Sequence, residues 1–354
     1  MADYIIGGIQ QVGIGVPDVD AAWTWYRSQF GADVGVFDDT EVAGLMTRYT
    51  GGIPQSRRAA LAMNLSGGGG FEIWQFTSRT PTQPAFQPAL GDFGILGVKL
   101  KSNDVAGAYE RLRRAGDAVV GDITEAPGGG KHFFVRDPLN NLFEIVEGID
   151  WFGAVRRSLT GGVAGVTIGV SNIDDALPLY RGILNYDRVV FDETREFPDL
   201  ADLPGGIGTF RRVLLGHSEP RRGPFAELLG ATEIELLQRV GGEPGRRIFD
   251  GRFWGDLGFI HVCFDVQAFD ELKEASTALG FTLTVDSGAT FDMGEAGGRF
   301  GYIEDPDGTL IELVETHKMP LLSKLGLTVD LTKRPPGKPL PKMLLKLMSL
   351  KRKK

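Results

Sequence analysis

The chain has 354 residues, 42% of them hydrophobic and 24% charged, with a formal net charge of −8, which is material enough for two domains or one large pseudo-symmetric body. The acidity excludes nucleic-acid binding through general attraction to phosphate. The one cysteine, Cys263, excludes an intrachain disulfide framework; with no basic-then-apolar leader and no apolar run long enough for a bilayer, a cytoplasmic protein is expected.

Four stretches in turn read as strand, helix, then several strands. In the first, residues 9–16 alternate as a strand, Pro17-Asp18-Val19-Asp20 supplies a turn and a helix cap, and a helix over 20–30 ends near Gly31. Strands are expected over 44–50, 59–65 and 71–77. The tract Ser66-Gly67-Gly68-Gly69-Gly70 lacks the Lys-Ser/Thr and following helix of a phosphate loop, so it reads as a flexible hairpin. The second stretch begins at Gly94, carries a helix over 105–115 and closes with a strand over 142–147. Residues 147–160 connect the halves. The third spans about 162–240, with a helix over 174–184 that Pro178 should kink, or whose first turn it should mark, and a last strand over 233–238. The fourth starts at Gly258, has a helix over 268–279 and ends with a strand over 310–315.

Two phrases recur. Gln11-Val-Gly-Ile-Gly-Val-Pro-Asp18 leads to Tyr26-Arg27, and Gly165-Val-Thr-Ile-Gly-Val-Ser-Asn172 leads to Tyr180-Arg181. Arg136-Asp137-Pro138 precedes Glu144-Ile-Val-Glu147, and Glu304-Asp305-Pro306 precedes Glu312-Leu-Val-Glu315. Self-similarity on this scale means one structural unit used repeatedly. In order and wording the chain resembles, over roughly residues 8–316, the vicinal oxygen chelate superfamily: glyoxalase I, methylmalonyl-CoA epimerase, extradiol dioxygenases and bleomycin-resistance proteins. The resemblance implies an α+β fold, with four βαβββ modules forming two curved mixed β-sheet cups. The N-terminal half, 1–150, would hold modules at about 8–80 and 92–150. The C-terminal half, 160–318, would hold modules at about 160–242 and 254–318, followed by a basic tail over 319–354.

The resemblance also implies that two modules pair around a divalent metal, each giving one ligand from its first strand and one Glu from its last. The first-strand positions fall on Gln11, Gly97, Gly165 and His261, and the last-strand positions on Glu72, Glu144, Glu235 and Glu312. Neighbour pairing would leave both sites incomplete. Crossed pairing, first with fourth and second with third, collects Gln11, Glu72, His261 and Glu312 in one cup and two bare glycine positions in the other. One intact and one empty set is the simpler account, so crossed pairing is expected. Two carboxylates neutralise a 2+ ion, while an imidazole and an amide oxygen add no charge; the set suits Zn, Ni, Co, Mn or Fe(II).

A substrate presenting two neighbouring oxygens could have its carbonyl polarised by such an ion, with Glu312 or Glu72 as general base. The leading expectation is therefore an enolate-forming epimerase, isomerase or lyase. Where the resemblance implies an Arg that helps hold glutathione, four residues after the first ligand, this chain has Gly15, so glyoxalase I activity is not expected. The rival readings are an extradiol-type ring-cleavage dioxygenase with non-haem Fe(II), needing two His and one Glu, and a non-catalytic resistance-type binder. Trp74, Cys263, Arg48 and Arg299 are the candidate substrate-binding residues.

Residues 318–354 carry eleven Lys or Arg against one acid, Asp330, so the remainder is more acidic than the net charge suggests. Residues 333–341 read as an extended Pro-rich linker. Residues 342–354 read as a short basic amphipathic helix with Met343, Leu344, Leu347 and Met348 as its apolar content. Docking back on the acidic body is expected, with weak contact to an anionic membrane surface as the alternative. The expected partner is a small-molecule substrate, with no nucleic acid, and the sequence is compatible with a homodimer.

Overall fold

The computed structural model describes residues 4–148, 150–155, 158–288, 291–293, 296–322 and 327–353. The first module comprises β1 (Ile5–Gly15), α1 (Val19–Phe30), β2 (Val34–Val42), β3 (Ser56–Met63) and β4 (Gly70–Phe76). The second comprises β5 (Gly94–Ser102), α2 (Val105–Ala115), β6 (Ala118–Glu125), β7 (Lys131–Arg136) and β8 (Leu142–Glu147). The third comprises β9 (Thr160–Gly169), α3 (Ile173–Leu177), β10 (Arg188–Glu196), β11 (Thr209–Gly216), α4 (Ala226–Leu229) and β12 (Glu233–Arg239). The fourth comprises β13 (Gly258–Gln267), α5 (Phe269–Ala278), β14 (Val285–Asp286), β15 (Phe291–Met293), β16 (Ala296–Glu304) and β17 (Leu310–Leu322). The C-terminal segment adds β18 (Leu327–Asp330) and α6 (Lys342–Leu347).

Local chemistry sets the helices. Asp18 caps α1 by accepting from the Ala21 N–H, and Gly31 closes it at φ 66°, a left-handed conformation natural to glycine. Trp23, Tyr26 and Phe30, spaced three and four apart, form its buried face. Asp104 and Gly116 bracket α2 in the same way. Pro178 does interrupt the third helix: α3 stops at Leu177, and the next turn widens so that the Leu184 N–H bonds to the Leu179 carbonyl at 3.0 Å.

The strands assemble into two curved mixed sheets. The first runs β14-β16-β17-β13-β1-β4-β3-β2, with β15 and β18 on its margins, and the second runs β10-β11-β12-β9-β5-β8-β7-β6. The first module therefore pairs with the fourth through antiparallel β1 and β13, and the second with the third through β5 and β9. Each last strand lies parallel to its own first strand, as β4 does to β1 and β17 to β13. A continuous core joins the inner strands of both sheets to α1, α2, α3 and α5.

The recurring phrases explain how sequential modules stay together although they belong to different sheets. The Tyr26 hydroxyl donates to Asp137 Oδ2 at 2.7 Å, joining the first helix to the Asp-Pro turn of the second module. The Tyr180 hydroxyl repeats this with Asp305 Oδ2 at 2.9 Å in the other half.

One expected strand is not found. Residues Gly44–Tyr49 form a short 3-10 helix, and the strand lies earlier, at β2. The Thr50 side chain closes the turn onto the Ile53 carbonyl at 2.7 Å, and Gly51 and Gly52 follow with positive φ. β2 is an edge strand, and its acids Asp38 and Asp39 pair with Arg58 and Arg57 of β3, so it lacks the apolar alternation that marks a strand in sequence.

Candidate metal centre and active site

The first cup brings Gln11, Glu72, His261 and Glu312 together. Gln11 sits on β1 opposite Cys263, and His261 on β13 sits opposite Gly13. Glu72 on β4 lies beside Gly13, and Glu312 on β17 beside Cys263. His261 Nε2 is 3.2 Å from Glu72 Oε2 and 3.2 Å from Glu312 Oε2, and Gln11 Nε2 is 3.3 Å from Glu72 Oε2. All four side chains are buried. Of the alternative registers, Gln11 rather than Gln10 faces Glu72; Gln10 Oε1 instead accepts from Cys263 Sγ at 3.8 Å.

Burial works against charge on His261, but Glu312 and Glu72 outweigh it and push its pKa up to about 10. Burial likewise opposes ionisation of Glu312, and the facing imidazole outweighs it and holds the carboxyl below its usual range. Gln11 Oε1 is nevertheless buried without a hydrogen-bond partner, and His261 Nε2 and Glu312 Oε2 meet at 3.2 Å only as an ion pair, out of line for a hydrogen bond. An unsatisfied buried polar atom costs about 1–3 kcal/mol, and a bound cation would satisfy such groups. Glu72, His261 and Glu312 offer ligand atoms within 4.8 Å of one another and could hold a divalent ion. Two carboxylates and an imidazole are chemically apt for it.

A cavity of about 360 Å³ opens in front of Gln11, Glu72 and Glu312. Trp74 lines it, yet is 1% exposed and packs edge-on against Trp254 at 4.4 Å, so its main contact is the core. Arg299 also lines it, but its guanidinium is held by Asp286 at 2.9 Å and Asp270 at 2.7 Å. Cys263 is fully buried behind the ligands rather than on the cavity wall, and burial together with Glu312 pushes its thiol well above its ordinary pKa. Arg48 lies in a different cleft, 3.9 Å from Glu304. At Gly15, an added Cβ would lie 2.0 Å from the Asp256 carbonyl oxygen, so no side chain fits where a glutathione-binding arginine was sought.

Tyr302 was not singled out in the sequence. Its hydroxyl donates to Glu312 Oε1 at 2.8 Å and lies 3.5 Å from His261 Nδ1. The repeat held the signal. Opposite the last-strand glutamates stand Leu61, Phe134, Leu214 and Tyr302, and Tyr302 alone of the four can hydrogen-bond.

The second cup is filled by the protein's own cations. Lys99 Nζ lies 3.0 Å from Glu144 and 2.6 Å from Glu235. His132 Nδ1 is 2.7 Å from Glu144, and Arg212 bridges Glu235 to Asp199. Burial disfavours the Lys99 charge, but the two glutamates more than reverse that and raise its pKa. Only about 20 Å³ of free space remains beside Glu144 and Glu235.

This architecture of two paired-module cups, one open and carboxylate-lined, is a fold shared with solved structures. Glyoxalase I from Zea mays superposes with a TM-score of 0.53 at 14% identity, covering 87% of this chain and 92% of that one. A Bacillus subtilis protein provisionally named a dioxygenase gives 0.52 at 17%, covering 88% and 86%. No protein of curated function matches the sequence. Residues 8–145 match the Glyoxalase/Bleomycin resistance protein/Dioxygenase superfamily. Over that stretch the chain is similar to the superfamily, the vicinal oxygen chelate group, and the match covers less than half of its length.

Proposed function

We propose that the protein is a divalent-metal-dependent enzyme that moves a proton on a small substrate chelating through two neighbouring oxygens, as an epimerase, isomerase or lyase. The observation that carries this reading is the placement of Glu72 and Glu312 on either side of His261 at the floor of the open cavity. Gln11, Glu72, His261 and Glu312 would hold the ion, which when bound polarises a carbonyl and acidifies the adjacent C–H. Glu312 or Glu72 takes that proton and returns it. Tyr302 fixes Glu312 by its hydrogen bond, and Gln11 fixes Glu72. Both glutamates are mostly buried and line the cavity from which a substrate would approach.

The carboxylate-rich set favours this over dioxygen activation. A facial triad needs a second imidazole. Among the described residues, His132 is engaged with Glu144 in the other cup, His217 with the Glu219 carbonyl and His317 with Glu315.

Two measurements test the proposal. Metal analysis after loading with Mn²⁺ or Zn²⁺ should give one ion per chain, with occupancy lost in both His261→Ala and Gln11→Ala. The loaded protein, incubated in D₂O with a panel of α-hydroxy ketones and 1,2-diketones, should exchange the α-hydrogen of at least one member, and Glu312→Gln or Glu72→Gln should stop it. Absence of bound metal overturns the proposal. So does a loaded protein that exchanges nothing and consumes oxygen with catechols.

A further inference from the structure

The chamber before Glu72 and Glu312 is much larger than two chelating oxygens require, and little of its wall can make a hydrogen bond. Its volume of about 360 Å³ falls in the range of small-molecule sites. Phe37, Leu61 and Met63 of the first module line it. Leu228 from the third module, Met319 from β17 and Met348 from the C-terminal segment line it too and pack in one cluster with Leu61 and Met63.

Met348 is held in place by its surroundings. It is buried in a cluster with Leu345, Leu61 and Met63. Beyond it the Arg352 guanidinium pairs with Asp33, the Lys353 N–H bonds to the Asp33 carbonyl at 2.8 Å, and the Lys353 ammonium sits 3.4 Å from the centre of the Trp23 ring. The acidic body thus binds the basic tail. Leu345 is the most deeply buried residue of that helix, while Met343, which the sequence pattern had marked as apolar content, is 76% exposed.

Three cations reach the chamber: Arg57, Arg299 and Lys318. Arg57 is buried 2.6 Å from Asp39, Arg299 is matched by Asp270 and Asp286, and Lys318 is exposed at the rim. Both arginine charges are therefore already balanced, and an anionic group drawn past Lys318 at the rim into the chamber would lose its hydration without a matched partner.

We propose that the substrate is an electrically neutral molecule with an extended apolar body and its two neighbouring oxygens at one end, and that the C-terminal segment, through Met348, is part of the wall that binds that body. Only the chelating end rests on the function proposed above. Substrates carried on nucleotides, coenzyme A or glutathione, with their several anionic groups, do not fit this wall.

The test uses the full-length, metal-loaded protein and three hydroxamates, which share a two-oxygen chelating head. These are acetohydroxamate, octanohydroxamate and suberohydroxamate, the last ending in a carboxylate. Each buried methylene favours binding about fourfold. With incomplete burial, calorimetry should show octanohydroxamate binding roughly 10²-fold tighter than acetohydroxamate, with most of that gain lost to the terminal carboxylate. Equal affinities, or tighter binding of the carboxylate-ended compound, overturn the proposal. Met348→Arg, its fold checked by circular dichroism, should lose at least about tenfold of the octyl gain; an unchanged gain removes the C-terminal segment from the wall. If metal analysis finds no ion, the proposed chemistry fails, and the chamber is tested separately with octanamide on the metal-free chain. Saturable quenching of tryptophan fluorescence then supports it, and none overturns it.

Discussion

Gly13 and His261 face each other across the β1–β13 ladder, and the imidazole depends on the glycine being bare. A Cβ on Gly13 would stand 2.4 Å from His261 Cε1 and 2.8 Å from Nε2. The ring has no free direction to yield, since Tyr302 packs edge-on at 5.5 Å and Trp254 lies parallel at 6.3 Å. Gly13→Ala is therefore expected to displace the imidazole, costing about 1–3 kcal/mol of stability and lowering metal occupancy at least about tenfold. Metal analysis and thermal melting would check this; full occupancy in the variant would mean that His261 does not hold the ion. Asp305 gives a pH effect away from the site. Burial raises its pKa to about 6 despite hydrogen bonds from Thr309 and Tyr180. A carboxyl raised above its unfolded value contributes stability that is present at low pH and lost as pH climbs through the folded value. The folded protein should thus lose about 1 kcal/mol from this group between pH 5 and 7. Asp305→Asn should remove that part of the pH response in urea titrations, and identical responses in the two proteins would rule the assignment out. At this scale the four prospective ligands were legible because the repeat aligned them. Tyr302 was overlooked because it lies outside the two recurring phrases.

In strand pairing, the two cups solve the same steric problem with opposite hands. In the first, long His261 from β13 crosses over bare Gly13 of β1; in the second, long Lys99 from β5 crosses over bare Gly165 of β9. A Cβ on Gly165 would stand 3.2 Å from Lys99 Cδ. The cup that lost both first-strand ligands therefore carries an ammonium between its glutamates. That substitution was readable in principle, since Lys99 follows the bare Gly97 by two residues on the same face. The ligand positions themselves, bare glycines at 97 and 165, carry no sign of it. Edge strands were harder for a physical reason: β2 is only part-buried, β10 is mostly exposed, and both carry cross-strand ion pairs such as Arg211 with Asp192, so no apolar period marks them. Lys99→Met should leave Glu144 and Glu235 as under-compensated buried carboxylates and cost about 3–5 kcal/mol. Urea unfolding would report the loss. A change below about 1 kcal/mol would show that Arg212 and His132 suffice without it.

Across the whole molecule, crossed pairing makes the two ends of the chain into one cup and its middle into the other. Local patterns do not dictate this; the sequence points to it only through which grouping of the surviving ligands makes a complete set. Long-range register is set by contacts between strands far apart in sequence, which no window of sequence contains. The topology has a direct consequence for fragments. Gln11 and Glu72 come from the N-terminal half, His261 and Glu312 from the C-terminal half, and each half alone would expose two inner strand edges. Residues 1–150 would leave β1 and β5 without β13 and β9, and residues 151–354 the reverse. Such open, apolar edges favour aggregation over independent folding. Each fragment is therefore expected to be poorly soluble and to lack cooperative unfolding, whereas co-expressed fragments should form a one-to-one complex that takes up one ion. Size-exclusion chromatography with metal analysis would check it. The decisive contrary result is a soluble 151–354 fragment that binds an ion as tightly as the full chain, because that would make Gln11 and Glu72 dispensable to a site they are here expected to complete.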